Sequence, residues 1–176
     1  MPQITTIEEL VKCFDNAKPS ERVGVLKSID INKLDYEKYA TWKGEDYTRN
    51  CIVRKNEFEF ILLCWDIGSS TPIHGHSGED CWVYQVDGEV RERRYRNSSS
   101  GFEMTNEAIL SEGNITYMHD RMGYHIIENV FSERAMTLHV YANPIDTCEV
   151  YNLETSSFER KEMKYDSMEG KIIVEA

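Results

Sequence analysis

Two histidines separated by one residue, His74 and His76, have a spacing that suits metal binding. Side chains at positions i and i+2 of an extended strand point to the same face, so both imidazoles would reach one point. The same spacing also fits two polar side chains on a solvated strand face. A third histidine, His125, lies in the strand-like segment GYHIIEN and favours a metal site. Cys81, five residues after His76, adds a thiol to the same region.

Two further groups of polar residues lie in strand-like segments. Arg49, in DYTRNCIV, fits a carboxylate-binding site because a guanidinium donates two parallel hydrogen bonds to a carboxylate. A lone arginine equally fits a surface ion pair. Tyr47, two residues earlier, would share its face of the strand. Thr137, His139 and Tyr141 alternate along TLHVY, which fits a polar barrel interior or a solvated face.

The elements that must position these residues differ on the two sides of residue 46, because the spacing of apolar residues changes there from a helical period to a period of two. Residues 1–45 are predicted to be helical, with apolar spacing from Ile7 to Phe14, a restart at Pro19 and a third short helix in NKLDYEKYATW. Residues 46–176 alternate with period two between turns, and Asp87-Gly88 is a hairpin-type turn signal between two strands. We therefore predict one domain over 1–176, a mainly β double-sheet barrel with a small N-terminal α-helical segment.

Composition and charge limit the classes of function. The 176 residues are enough for a buried core, and the net charge of −11 argues against a nucleic-acid partner. A run of about 20 apolar residues, which a membrane span requires, is absent from the sequence. The first residues lack the basic and apolar regions of a signal peptide. Five cysteines without CxxC spacing are typical of free thiols in a cytoplasmic protein.

The segment from Gly68 to Gly88, GSSTPIHGHSGEDCWVYQVDG, resembles the first motif of the cupin family. That motif reads G-x5-HxH-x(3–4)-E-x6-G, and here Cys81 occupies the position of its glutamate. The second cupin motif ends in H-x3-N, which HIIEN supplies with His125 and Asn129. Within the cupins, the chain resembles the cysteine dioxygenases through YTRN, IHGHSGEDC, GYHIIENV and LHVYANPIDTC, in this order over nearly its whole length.

The resemblance implies a cupin barrel that carries a non-haem iron enzyme. His74, His76 and His125 would bind one Fe(2+) ion per chain, and a facial set of three ligands leaves positions open, as in other non-haem iron oxygenases. Arg49 and Tyr47 would hold the carboxylate of the substrate. The implied reaction is oxidation of L-cysteine with O2 to cysteine sulfinate, a step of cysteine catabolism in which both oxygen atoms pass to sulfur.

The resemblance also implies roles for the residues of TLHVY and for Cys81. Thr137, where family members commonly have serine, would form with His139 and Tyr141 a relay that ends at the substrate. Cys81 and Tyr141 would be joined by a thioether bond, as in the eukaryotic-type members. From the residues alone, Cys81 also fits a small buried apolar side chain, which is the role expected of the other four cysteines.

Three alternatives to an L-cysteine dioxygenase stay open. The nearest is a dioxygenase for 3-mercaptopropionate or another small thiol, against which Arg49 counts. The others are a zinc or manganese cupin that acts as an isomerase or hydrolase, and a cupin that only binds a ligand. The expected partners are L-cysteine and O2, in a monomer without nucleic-acid or membrane partners. His119 is expected at the surface, and no chemistry requires Cys148.

Overall fold

The N-terminal part of the chain contains two short helices, in a computed structural model that describes residues 4–99 and 101–174. Helix α1 (Ile7–Asn16) begins at Thr6, whose hydroxyl accepts a hydrogen bond from the Glu9 amide at 3.2 Å. Helix α2 (Pro19–Lys27) begins at the predicted proline. Neither helix, nor any other in the described ranges, is long and apolar enough to cross a membrane.

The predicted third helix is wrong in detail. Its place is taken by two short 3-10 turns, Ile31–Lys33 and Glu37–Tyr39. Leu34 and Tyr36 are both buried although they are only two residues apart, a spacing that one face of an α-helix cannot bury. The Tyr36 hydroxyl donates to the Ile31 carbonyl at 2.9 Å and fixes this tighter path.

Two β-sheets form the rest of the described chain. Within it, the strands are β1 (Tyr47–Arg54), β2 (Glu59–Trp65), β3 (Ile73–His74), β4 (Cys81–Asp87), β5 (Glu89–Ser98), β6 (Gly101–Ser111), β7 (Ile115–Met118), β8 (Tyr124–Glu128), β9 (Ala135–Tyr141), β10 (Thr147–Asn152), β11 (Ser157–Glu162), β12 (Ser167–Met168) and β13 (Lys171–Ile172). One sheet has the order β13-β12-β1-β2-β9-β4-β7 and the other β11-β10-β3-β8-β5-β6. The predicted mainly β, double-sheet architecture is confirmed, whereas the extent of the single domain stays a prediction.

Strand β2 shows where the core lies, because all seven of its residues are buried. Phe60, Leu62 and Cys64 pack with the helices on the outer side of the seven-stranded sheet. The alternate residues, among them Ile61 and Trp65, pack between the two sheets. A strand covered on both sides keeps its backbone fixed, which suits it to hold a site between the sheets.

The Asp87-Gly88 turn joins two strands of different sheets and does not form a hairpin. Strand β4 pairs with β7 and β9, whereas β5 pairs with β6 and β8. Gly88 has a φ of +66°, and a Cβ at this position would lie 2.6 Å from the Arg134 carbonyl oxygen. Glycine therefore permits the chain to cross between the sheets where they come close together.

Candidate active site

Three histidines converge between the two sheets. His74 and His125 are cross-strand partners on β3 and β8, and His76 follows β3 in a loop. Their candidate ligand atoms all lie within 4.8 Å of one another. The sequence predicted that His74 and His76 would approach one point, and they do so from the end of β3 and the loop that follows it, while β-pairing adds His125.

The spacing of these imidazoles fits a single metal ion. The Nε2 atoms of His76 and His125 are 3.1 Å apart. Two nitrogens that each lie about 2.1 Å from one ion, at right angles, are separated by about 3 Å. The Nδ1 atom of His74 lies 2.9 Å from the Pro72 carbonyl oxygen, so the opposite nitrogen, Nε2, is left for the cluster. The three residues therefore form a set of donors that suits a transition metal.

Burial keeps the imidazoles of His74 and His76 neutral, as metal ligation requires. Burial, and secondly the nearby His125, lowers the pKa of His74 to about 3. The same causes hold the pKa of His76 well below its usual value. At neutral pH these side chains present lone pairs and not positive charges, so a divalent cation meets no repulsion from them.

The loop that carries His76 is fixed by Asp120. One carboxylate oxygen of Asp120 accepts from the His76 amide at 2.5 Å, and the other accepts from the Gly78 amide at 2.6 Å. Asp120 lies in a short turn (Asp120–Met122) that His119 caps by accepting from the Arg121 amide at 3.0 Å. His119 is half-buried and lies outside the histidine cluster, so its place in the structure is explained by the turn.

A cavity opens beside His74 and is lined by Tyr47 and Arg49. Arg49 is only 8% exposed, and its Nε donates to the Lys164 carbonyl at 3.2 Å. Its Nη2 is buried and has no hydrogen-bond partner in the part of the chain that the structure describes. A buried donor without a partner costs about 1–3 kcal/mol, so an anionic group in the cavity would relieve this cost.

The backbone of Arg49 is held from the far end of the chain. We call residues 163–173 the C-terminal strap. Within it, Asp166 accepts from the Arg49 amide at 2.8 Å, and β12 pairs in parallel with β1. The ring of Tyr165 faces the Arg49 guanidinium at 5.9 Å, while Tyr47 stacks on Trp65 with ring centroids 5.1 Å apart. These contacts fix the cation at the cavity wall.

The residues predicted to form a relay are only partly connected. Trp65 donates to the Thr137 hydroxyl at 2.9 Å, and this hydroxyl lies 2.9 Å from His139 Nε2. Burial holds the pKa of His139 well below its usual value, so its ring is neutral. Nδ1 of His139 faces the Cys81 sulfur at 4.0 Å. In the described chain no hydrogen bond joins His139 to Tyr141, whose ring centroid is 6.4 Å away, and the relay stays a prediction.

Cys81 and Tyr141 are direct cross-strand neighbours on β4 and β9. Both are buried, at 0% and 2% exposure, and burial raises the pKa of the thiol and that of the phenol. The Tyr141 ring also packs edge-on against the His76 ring, with centroids 5.6 Å apart. The pair therefore forms a cross-strand contact beside the candidate metal ligands, and the thioether stays a prediction.

Two residues near the site escaped prediction from the sequence. Glu92, on β5, is buried and lies 2.8 Å from Nδ1 of His125, yet its segment EVRERRYR has the composition of a solvated strand. Its alternation with Val90 was the available signal, since both would face inward. Cys148 lines the cavity, and its sulfur lies 3.1 Å from that of Met163.

This double-sheet barrel, with three histidines between its sheets, defines a cupin. A protein from Thermus thermophilus shares the fold with a TM-score of 0.52 at 23% identity, over 62% of this chain and 94% of that chain. A Klebsiella pneumoniae protein with a double-stranded β-helix domain has a TM-score of 0.52 at 15% identity, over 73% and 96%. The chain belongs to the cysteine dioxygenase type I family, whose model matches residues 2–154.

Relatives named cysteine dioxygenase type 1 cover most of the chain. The Danio rerio protein is 28% identical over 177 residues, which are 94% of this chain and 88% of the relative. The Homo sapiens protein is 27% identical over 161 residues, which are 89% and 80%. The predicted family is confirmed, and it makes the protein a dioxygenase with a histidine cluster compatible with metal binding.

Proposed function

We propose that the protein is an Fe(II) thiol dioxygenase that oxidises L-cysteine with O2 to cysteine sulfinate. The observation that carries this proposal is the buried Arg49, whose Nη2 has no partner among the described residues and lies at the wall of a cavity that His74 also lines. An amino acid with a thiol could place its carboxylate against the Arg49 guanidinium and its sulfur toward the three-histidine cluster. The family and the three-histidine cluster support the same reaction.

Each part of the site has a separate task in this proposal. One Fe(II) ion per chain, held by His74, His76 and His125, supplies when bound the redox chemistry that adds both atoms of O2 to sulfur. Arg49 binds the substrate carboxylate with charge-assisted hydrogen bonds, and Tyr47 adds its phenol beside it. The buried walls exclude water and hold the substrate in one orientation, which contributes to the rate by proximity.

Tyr141 also lines the cavity, and its proposed role is to direct its hydroxyl at the substrate. Its cross-strand contact with Cys81 and its packing on His76 restrict the ring, and the thioether would fix it permanently. The proposed relay gives the Thr137 hydroxyl and His139 the task of ordering polar groups around the substrate. We further propose that the enzyme works as a monomer in the cytoplasm, where the four cysteines other than Cys81 stay reduced.

One observation favours 3-mercaptopropionate as a second candidate substrate. In the described chain, no acidic side chain lines the cavity, so no carboxylate awaits the ammonium group of cysteine. A mercapto acid without an amine would still satisfy Arg49. Both substrates carry a carboxylate that fits Arg49, so this residue does not count against 3-mercaptopropionate as the sequence alone suggested, and relative rates must separate the two.

Oxygen uptake by iron-loaded protein tests the proposed function. We expect about one O2 consumed per sulfinate formed from L-cysteine, with a higher kcat/KM than for 3-mercaptopropionate or cysteamine. Mass spectrometry of the product and metal analysis of the protein accompany the rates. Preference for 3-mercaptopropionate would establish the second candidate. Absence of uptake with every thiol would refute thiol oxidation. It would favour the remaining alternatives, a zinc or manganese cupin or a protein that only binds a ligand.

Replacement of Cys81 by serine is expected to prevent a thioether that forms during turnover. The bond joins the sulfur to a ring carbon of Tyr141 as the S–H and ring C–H bonds break, and the two protons and two electrons released reduce one O2 to hydrogen peroxide. Intact-mass analysis of wild-type protein should show a population about 2 Da lighter that grows with turnover. The variant should lack it and keep a reduced activity, because the bond restrains the tyrosine and does not perform the reaction.

Cys64→Ser is the matched control, since Cys64 is a buried cysteine that packs on the helix side of its strand. This control should retain the lighter population. If the lighter population persists in Cys81→Ser, the sulfur of another residue forms the crosslink and the assignment fails.

A further inference from the structure

A buried carboxylate lies directly behind one of the candidate metal ligands. Glu92 on β5 is 1% exposed, and its Oε1 lies 2.8 Å from Nδ1 of His125. Strand β5 pairs with β8, which carries His125, so the contact is fixed by the sheet and not by a loop. Since a carboxylate accepts and a neutral imidazole donates, His125 carries its proton on Nδ1 and turns the lone pair of Nε2 to the cluster.

The other oxygen of Glu92 is held on its far side. Arg94 donates to Oε2 at 3.1 Å, and the Thr116 hydroxyl donates to the same oxygen at 3.1 Å. Arg94 also donates to the Tyr117 carbonyl at 3.0 Å, which fixes the guanidinium in turn. A guanidinium is always protonated in proteins, so its partner is held as an anion in a place that water does not reach.

The charge behind His125 distinguishes it from His74. The Nδ1 atom of His74 meets only the neutral carbonyl of Pro72. A carboxylate that accepts from a ligand histidine raises the basicity of the ring and thereby strengthens its bond to a metal. Cys81 stands where the cupin motif has glutamate, so the ligand set contains no carboxylate. Glu92 supplies a negative charge instead, but from behind His125 and not as a direct ligand.

We propose that Glu92 is a positioning residue that orients His125 and supplies, through its imidazole, the negative charge that the three neutral ligands lack. The inference rests on the metal site of the proposed function and extends it to the residues outside the ligand set. Its physical consequences are tighter metal binding and a lower Fe(III)/Fe(II) reduction potential, because an added negative charge favours the more highly charged ion.

Glu92→Gln tests the proposal, because an amide keeps the shape and the acceptor oxygen of the side chain while it removes the charge. Co(II) and anaerobic Fe(II) titrations of metal-free protein should show about 10–100-fold weaker binding than in the wild type. The reduction potential of the iron-loaded variant should move in the positive direction, an effect that a purely structural role would not produce. Thermal unfolding of the metal-free proteins reports the stability separately.

Glu128→Gln is the matched control. Glu128 is a half-buried carboxylate on β8 that Arg91 and Arg93 bind, as Arg94 binds Glu92, but it touches no ligand histidine. Its metal affinity and potential should equal those of the wild type. If Glu92→Gln fails to fold with Arg94 left unpaired, the double variant Glu92→Gln/Arg94→Met removes both buried charges and should still bind metal weakly.

The outcomes separate this inference from the metal site itself. A wild type that binds neither Co(II) nor Fe(II) would refute the proposed metal centre. A wild type that binds metal, together with an equally tight Glu92→Gln protein of unchanged potential, would overturn the role of Glu92 alone. Equal weakening in Glu92→Gln and Glu128→Gln would also overturn it, since the effect would then belong to the sheet as a whole.

Discussion

Replacement of His125 by alanine is expected to abolish metal binding and thiol oxidation together. Its imidazole is fully buried, and its Nε2 lies 3.1 Å from that of His76, so no other side chain in the described structure takes its place. The variant also removes the His125 contact of the buried Glu92 carboxylate, which then keeps only Arg94 and the Thr116 hydroxyl as donors. Iron content should fall from about one ion per chain to near zero, and oxygen uptake should fall to background.

His119→Ala is the control for this experiment. His119 is a half-buried histidine that caps a turn and is not a member of the cluster. It should retain iron and most of the activity, with a modest loss of stability from the missing cap, about 1 kcal/mol. Full iron and full rate in His125→Ala would show that the third ligand is wrongly assigned.

Replacement of Arg49 by alanine is expected to raise the KM for L-cysteine far more than it changes the iron content. The guanidinium is buried, and a carboxylate that loses a buried charged partner loses about 2–5 kcal/mol of binding free energy. Cysteamine has no carboxylate, so its kinetics should hardly respond to the change. The measurement is kcat and KM for both thiols in wild-type and variant protein.

Arg22→Ala serves as the control, because Arg22 lies on helix α2 and pairs with Glu57 instead of lining the cavity. It should leave both KM values unchanged. The proposed clamp is refuted if wild-type protein oxidises cysteamine as efficiently as cysteine, or if Arg49→Ala lowers both thiols equally.

The histidine cluster was predictable because a strand has a period of two and the motif spacing restricts the fold. His74 and His76 needed only local alternation, whereas His125 needed the family resemblance to join them. Glu92 was not predictable by the same argument. Its alternation with Val90 suits an inward face, but Arg91, Arg93 and Arg94 give the segment the composition of a solvated surface, and only the pairing of β5 with β8 places Glu92 behind His125.

The features that could not be predicted from the sequence depend on contacts between distant parts of the chain. The spacing of Asp87 and Gly88 indicates a turn correctly, but whether the flanking strands pair depends on β7 and β9, which lie well downstream. The contacts of Arg49 with Lys164 and Asp166 join residues more than a hundred positions apart. No local pattern in the sequence carries this information.

The position of the C-terminal strap in the sequence means that the two parts of the site are synthesised one after the other. All three histidines and Glu92 lie within the segment from residue 74 to residue 125, so a ribosome synthesises them before it synthesises the strap. Asp166, Tyr165 and the Lys164 carbonyl, which hold Arg49, are synthesised after all four of these residues. The strap also lies beyond the stretch that the family model matches, residues 2–154. A nascent chain thus contains the three candidate metal ligands before it contains the residues that hold the proposed substrate clamp.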